Sequence, residues 1–342
     1  MRAILIGFGN VGRTLAKILS VEKHRFQGLQ DLDIRVVGIF TRTKGCLIDH
    51  EGVDLASAVE TVERYGRFIP TMKGYCDMEA QEAAQTLDYD VLLELSTLSI
   101  EREGEPALSH IKAALRRAKH VVSANKGPLA FAYHELKRLA EEKNVRLLFE
   151  STVMDGAPVF NMVRNCLKGC SVVEIDGILN STTNYILMRM EEGATLQDAI
   201  KEAQEKGFAE ADPSNDVDGW DAAAKICVLA NVIMGAQITP REVKRKGIKE
   251  VTPEDLKGAR QKNKCIKLVC SAKKRDQHVE ATVEPTLIDK EHFFATVRGE
   301  GSVVRIKTDL MGPIMITQEA PDLYDTAYGV IDDLLTIYRK TS

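Results

Sequence analysis

The sequence is short of several things, and each shortage excludes a class of protein. It has no long apolar run. The longest near-apolar stretch, Ile226 to Ala236, is interrupted by Asn231 and falls well short of the ~20 residues that cross a bilayer. No single charge predominates: 46 basic and 50 acidic residues leave a formal net charge of −4, which offers nucleic acid no global cationic field. There is no C-x-x-C pair. Seven cysteines are an odd count, and Cys166/Cys170 and Cys265/Cys270 have no second cluster of His or Cys beside them. Reduced thiols in a cytoplasmic protein are expected, rather than a disulfide framework or a zinc site. Proline (10) and glycine (24) are sparse and 44% of the chain is hydrophobic, so it is neither low-complexity nor disordered. The opening MRAILIGFGN meets glycines within a few residues, unlike a secretory leader.

A length of 342 residues predicts two domains, because single cores rarely grow past roughly 250–300 residues. Over residues 1–150, short β-rich runs alternate with helical periodicity. Strands are predicted at Arg2–Ile6, Ile34–Phe40, Asp90–Leu95, His120–Ala124 and Arg146–Glu150. Helices are predicted after the first strand, at Ala107–Ala118 with Pro106 as its first residue, and at Leu129–Lys143. Such alternation predicts an α/β fold with a doubly wound parallel sheet of Rossmann type. Past residue 150 the pattern is a second α/β domain, 151–320. It has strands at Val172–Ile178, Ile266–Ser271, His278–Glu284, Ala295–Val297, Val303–Lys307 and Ile314–Thr317. Helices are expected at Thr195–Lys206 and Trp220–Met234, with helix starts at Thr239–Glu242 and Thr252–Asp255. The basic run Arg241–Lys249 reads as a solvated helical face. A last helix, within about 321–342, is free to return to the first domain.

Gly7-Phe8-Gly9-Asn10-Val11-Gly12 is a G-x-G-x-x-G directly after a strand and at the opening of a helix. The first glycine allows the tight turn, the second the approach of a pyrophosphate, and the third close packing of helix and strand. The helix N-terminus offers unpaired N–H groups to phosphate. In its βαβ setting this predicts dinucleotide binding. An NAD site usually carries an acid at the end of the second strand. Here that end reads Gly38-Ile39-Phe40-Thr41-Arg42-Thr43-Lys44, and Arg42 and Lys44 suit the 2′-phosphate of NADP, which is favoured over NAD. Ser96, Thr97 and Lys126 follow two further strands and point to the same end of the sheet.

Between residues 210 and 221, five acids crowd together: Glu210, Asp212, Asp216, Asp218 and Asp221. Asp221 and Lys225 are spaced i,i+4, on one helix face. The D-x-D-x-D-G spacing of a calcium loop is not met. The segment resembles the signature of homoserine dehydrogenases at Ala203, Gly207, Phe208, Ala209, Asp212-Pro213, Asp216-Val217, Gly219, Asp221 and Lys225. Gly7–Arg13, Ser123–Pro128 and Gly177–Tyr185 also resemble that family, and the likeness spans essentially the whole chain, as in its short, stand-alone form.

The resemblance implies an NAD(P)-dependent oxidoreductase of threonine, methionine and isoleucine biosynthesis, interconverting homoserine and aspartate 4-semialdehyde. It implies Lys225 as general acid/base, with Lys126 polarising the substrate oxygen or holding cofactor. Glu210 and Asp221 would bind the substrate ammonium, with Asp216 as helper, or Asp221 would instead orient Lys225 by a one-turn ion pair. It further implies a monovalent cation held by the Glu150 carboxylate and the carbonyls of Val153, Asp155 and Ala157. Met154 and Asp155 depart from the small residues usual there, and Gln318–Asp322 departs from the family's glycine-rich turn. A homodimer built through strands of the second domain is the expected assembly. Two rivals remain: another NADP-dependent aldehyde reductase on this scaffold, and a cofactor sensor without catalysis. No cysteine lies at a strand end or helix start where it could serve as a nucleophile.

Overall fold

The computed structural model describes residues 1–207, 209 and 212–341. The chain divides into two compact units, Met1–Pro158 together with the chain from Asp322 onward, and Val159–Pro321.

The first unit runs β1 (Arg2–Ile6), α1 (Asn10–Leu19), β2 (Arg35–Phe40), β3 (Cys46–Ile48), α2 (Leu55–Tyr65), β4 (Tyr75–Cys76), α3 (Ala80–Thr86), β5 (Val91–Glu94), α4 (Ala107–Arg116), β6 (His120–Ser123), α5 (Gly127–Glu142) and β7 (Leu147–Leu148). Its sheet has the order β4-β3-β2-β1-β5-β6-β7. The five strands from β2 to β7 are mutually parallel. The β3–β4 hairpin extends the β2 edge antiparallel; its strands are too short to leave a periodic signal in the sequence. Chain order reverses between β1 and β5, and ligands of such sheets bind at that switch point, beyond the strands' carboxyl ends. Both faces of the sheet are buried, so the central strands are almost purely apolar: Ile4, Leu5, Val91, Leu92 and Leu93 are fully enclosed. The C-terminal helix (Leu323–Thr341) belongs to this unit, and its Ala327, Val330, Ile331, Leu334 and Ile337 sit in the same core as Leu5 and Leu15.

The second unit comprises α6 (Val159–Cys166), β8 (Val172–Ile178), α7 (Ser181–Glu191), α8 (Leu196–Glu205), α9 (Ser214–Val217), α10 (Trp220–Ile233), β9 (Lys244–Arg245), α11 (Pro253–Gln261), β10 (Lys264–Arg275), β11 (His278–Asp289), α12 (Phe293–Thr296), β12 (Ser302–Thr308) and β13 (Ile314–Gln318). Its sheet has the order β13-β12-β8-β10-β11-β9. All neighbours are antiparallel except β9, which runs parallel to β11. The buried faces of α7, α10 and α11 pack on β10. The polar residues Asp176, Ser271, Lys273, Thr282 and Glu284 share another face of the sheet.

Several expectations are corrected. Ala295–Val297 is not a strand: His292 caps the short helix α12, which buries Phe294 and Val297 over the sheet. Thr239–Glu242 forms the side-chain half of a capping box, with both the N–H and the hydroxyl of Thr239 bonded to Glu242 at 2.8 Å, yet no helix follows. The buried Val243 draws the chain into β9 instead. Arg241–Lys249 is therefore a turn and a short strand, not a helical face. Pro106 caps α4 rather than opening it. The strand predicted at Arg146–Glu150 shortens to Leu147–Leu148, because Glu150 starts a 3-10 turn.

Candidate active site

Two groups of side chains stand out, one in each unit. In the first, β1 runs into the glycine turn. Gly7 has φ +100°, and a Cβ there would lie 2.6 Å from the backbone of Leu95, at the end of β5. A Cβ on Gly12 would lie 2.6 Å from the Gly7 carbonyl, so helix α1 can approach the turn only without one. Gly9, the cap of α1, faces open space. Two of the glycines are thus needed for packing, and the third bares the backbone at a helix N-terminus, the geometry that receives a pyrophosphate. Phe8 is buried against Phe68, with ring centroids 5.5 Å apart. Asn10 is exposed and accepts from Arg13 at 2.8 Å, and Val11 is half-buried. Beyond β2, Thr41 closes a tight turn by donating to the Gly45 carbonyl (2.7 Å) and accepting from the Lys44 N–H (2.8 Å). Arg42 is exposed on that turn and Lys44 half-buried.

At the ends of β5 and β6 lies a polar network that sequence reading missed. Glu94 is fully buried and accepts from the Ser96 N–H (2.9 Å), from the Ser96 hydroxyl, and faces His110 Nδ1 at 2.8 Å. Asn125 donates to the Ser96 hydroxyl oxygen (3.2 Å) and the Thr97 carbonyl (3.3 Å), and accepts from the Gly127 N–H (2.9 Å). The network fixes Ser96 and Thr97 against the loop that carries half-buried Lys126, the cap residue of α5. The only local signal was an acid closing an otherwise apolar strand.

In the second unit, β8 leads through Leu179 to Asn180, the N-cap of α7. Lys225, on α10, donates to the Leu179 carbonyl at 2.9 Å and pairs with Asp221 at 3.0 Å. Asn180 reaches both acids of the neighbouring segment, Asp216 at 2.6 Å and Asp221 at 2.8 Å. Asp221, Asp216 and Lys225 are therefore brought together, whereas Glu210 lies outside the described residues. The basic run braces this segment from behind. Arg245 stacks 3.7 Å over the Trp220 ring and donates to the Asp218 carbonyl; Lys249 pairs with Asp218 at 2.6 Å; and the Ile248 N–H bonds the Val217 carbonyl at 2.9 Å. Gly219, at φ +79°, supplies the left-handed turn that opens α10. Cys270 is fully buried and close enough to feel the charges of Lys225 and Asp221, but burial pushes its thiol up to about 12, away from the reactive thiolate.

The stretch proposed for a cation folds with Met154 and Asp155 both left-handed, at φ 57° and 54°. Glu150 is buried, and its N–H bonds the Asp333 carboxylate at 2.8 Å. Asp155 accepts from the Thr326 hydroxyl at 2.9 Å. Val153 and Ala157 are buried. Among the described residues there is no group of three or more His, Cys, Asp or Glu able to hold a metal ion.

Comparison with known proteins bears on both groups. The profile of the homoserine dehydrogenase NAD-binding domain matches residues 7–150, and that of homoserine dehydrogenase itself matches residues 158–335. A homoserine dehydrogenase of Methanocaldococcus jannaschii is 37% identical over 342 residues, spanning 100% of this chain and 99% of that one. An NAD(+)-dependent homoserine dehydrogenase of Pseudomonas canavaninivorans is 32% identical over 99% of this chain and 96% of its own. Among solved structures, a hyperthermophilic archaeal homoserine dehydrogenase in complex with NADPH superposes with a TM-score of 0.82, at 32% identity over 99% of this chain and 98% of that one. The homoserine dehydrogenase of Thermoplasma acidophilum gives a TM-score of 0.84, at 27% identity and 99% coverage of each chain. The chain belongs to the homoserine dehydrogenase family, and so is an oxidoreductase that works with a nicotinamide dinucleotide.

Proposed function

We propose that this enzyme interconverts homoserine and aspartate 4-semialdehyde with Lys225 as general acid/base and NADP as the favoured dinucleotide. The observation that carries this reading is the Lys225 amine, held 3.0 Å from Asp221 and 2.9 Å from the Leu179 carbonyl, amid acids suited to an amino acid. The bound nicotinamide supplies the hydride acceptor for alcohol oxidation, or the donor for aldehyde reduction. In oxidation, Lys225 as the neutral amine takes the proton from the substrate's terminal hydroxyl and becomes the ammonium, as the hydride leaves the adjacent carbon. In reduction it returns that proton to the aldehyde oxygen. Asp221 keeps the amine in place through the one-turn ion pair. Asp221, Asp216 and Glu210 bind the ammonium, and Lys126 holds the cofactor or polarises the reacting oxygen. The glycine turn from Gly7 to Gly12 receives the pyrophosphate, and Ser96 and Thr97 line the cofactor site.

NADP is favoured because the turn after β2 carries Arg42 and Lys44 and no acid. Steady-state oxidation of NADPH by aspartate 4-semialdehyde, run beside NADH, tests the whole reading: no turnover with either cofactor refutes it. Arg42→Ala should raise the KM for NADP and leave that for NAD alone; an unchanged ratio removes the 2′-phosphate assignment. We further propose that Glu150, Val153, Asp155 and Ala157 hold a monovalent cation, which replacing potassium by tetramethylammonium tests through the melting temperature. A homodimer is proposed through the second sheet, whose edge strand β13 exposes Met315 and follows the exposed Leu310 and Met311; sedimentation at micromolar concentration would reveal a monomer instead. The seven free cysteines suit a reducing cytoplasm, and no described helix is long and apolar enough to cross a membrane.

A further inference from the structure

Asn180 is only 4% exposed, and its side-chain hydrogen-bonding capacity is filled. Its oxygen accepts from both the N–H and the hydroxyl of Thr183, each at 2.8 Å. The two hydrogens of its amide nitrogen go to different carboxylates, Asp216 at 2.6 Å and Asp221 at 2.8 Å. The same Asp221 oxygen that accepts from Asn180 also meets Lys225 at 3.0 Å. Capping α7 requires only the oxygen. The nitrogen is left to hold together two acids that would otherwise repel.

We propose that Asn180 is a positioning and specificity-determining residue for the substrate's ammonium group. This rests on the reading of Asp216 and Asp221 as substrate-binding acids. A neutral amide restrains two carboxylates without cancelling their charge, which an arginine or lysine in its place would do. Two carboxylates and one lysine then keep a net charge of about −1, complementary to an incoming ammonium. The shared donor also fixes where the two acids converge, so a substrate lacking the amine forfeits its main contact.

The test compares homoserine with 4-hydroxybutanoate, the same chain without its amine. The readout is the ratio of the 4-hydroxybutanoate Ki to the homoserine KM, which partial unfolding does not change. Asn180→Ser keeps a capping hydroxyl for α7 but cannot bridge two acids. It should lower the ratio by about tenfold, the size of one charge-assisted hydrogen bond, with the KM for the dinucleotide unchanged. If Asn180→Ser keeps the wild-type ratio while Asp221→Asn loses it, Asn180 only caps the helix and the inference is overturned. If Asp216→Asn and Asp221→Asn also keep the ratio, the acids do not bind the ammonium, and the underlying reading falls with the inference.

Discussion

The role proposed for Lys225 rests on what surrounds it. Helical spacing puts it one turn after Asp221, and the end of β8 offers it a carbonyl acceptor. Lys225→Ala should lower kcat by on the order of 10²–10⁴, the range for a positioned general acid/base, with far smaller change in the KM for the dinucleotide. Turnover close to wild type in that variant would assign the proton transfer elsewhere. By contrast, Lys267, buried where Lys225 is half-buried, donates to Asn184 (2.8 Å) and to the Val297 carbonyl (2.7 Å), and burial lowers its pKa. It ties the loop after α12 to β10 and α7, a structural use of the same residue type.

Elements are set by what they pack against as much as by their own propensity. The short helix α9, which carries Asp216, is held by β9, two residues long, whose Arg245 and its neighbours brace the backbone of Val217 and Asp218. Helices α7 and α8 are locked by another polar cluster. Glu202 accepts from the Tyr185 hydroxyl (2.6 Å) and from Arg189 (2.8 Å), and Lys206 donates to Tyr185 (2.8 Å). The Tyr185 hydroxyl first, and then Arg189, bring the Glu202 carboxyl down to about 2. A depressed carboxyl stabilises the fold above its unfolded pKa of about 4.3, and that contribution disappears as pH falls through about 2. Glu202→Gln should therefore be less stable than wild type in urea unfolding at pH 7, with the gap narrowing between pH about 4 and 2. A gap that widened on acidification would contradict the pairing.

At the scale of the molecule, the first unit is assembled from two distant parts of the chain. The C-terminal helix supplies Val330, Ile331 and Leu334 to the core behind the glycine turn, and the Thr326 carbonyl accepts from the Ser151 hydroxyl at 2.7 Å. Leu334 is fully buried, so Leu334→Ala should destabilise that unit by about 2–5 kcal/mol. Loss of dinucleotide affinity on mild heating should accompany the change, because α1 and the turn share that core. A variant that unfolds at the wild-type urea midpoint would place the helix outside the cooperative unit.

Local order was legible in the sequence where its cause is local. The glycine turn needs three residues at fixed spacing beside a strand, and Asp221 and Lys225 meet because a helix repeats every 3.6 residues. Val172–Ile178 is read to the residue from its Val and Ile content, which ends just before the cap of the next helix at Asn180. Other features depend on partners far along the chain. Nothing near Asn180 announces two acids 36 and 41 residues away, and nothing near Glu94 announces His110 on the next helix. Val297 looked β-like, yet burial of the neighbouring Phe294 over the second sheet gave that segment a helical turn. The sequence alone determined the family, the parallel βα pattern and the motif that meets a dinucleotide, because spacing and periodicity are properties of neighbouring residues. Only the tertiary structure decided which polar groups share a hydrogen bond, because burial compels each of them to find a partner wherever the fold supplies one.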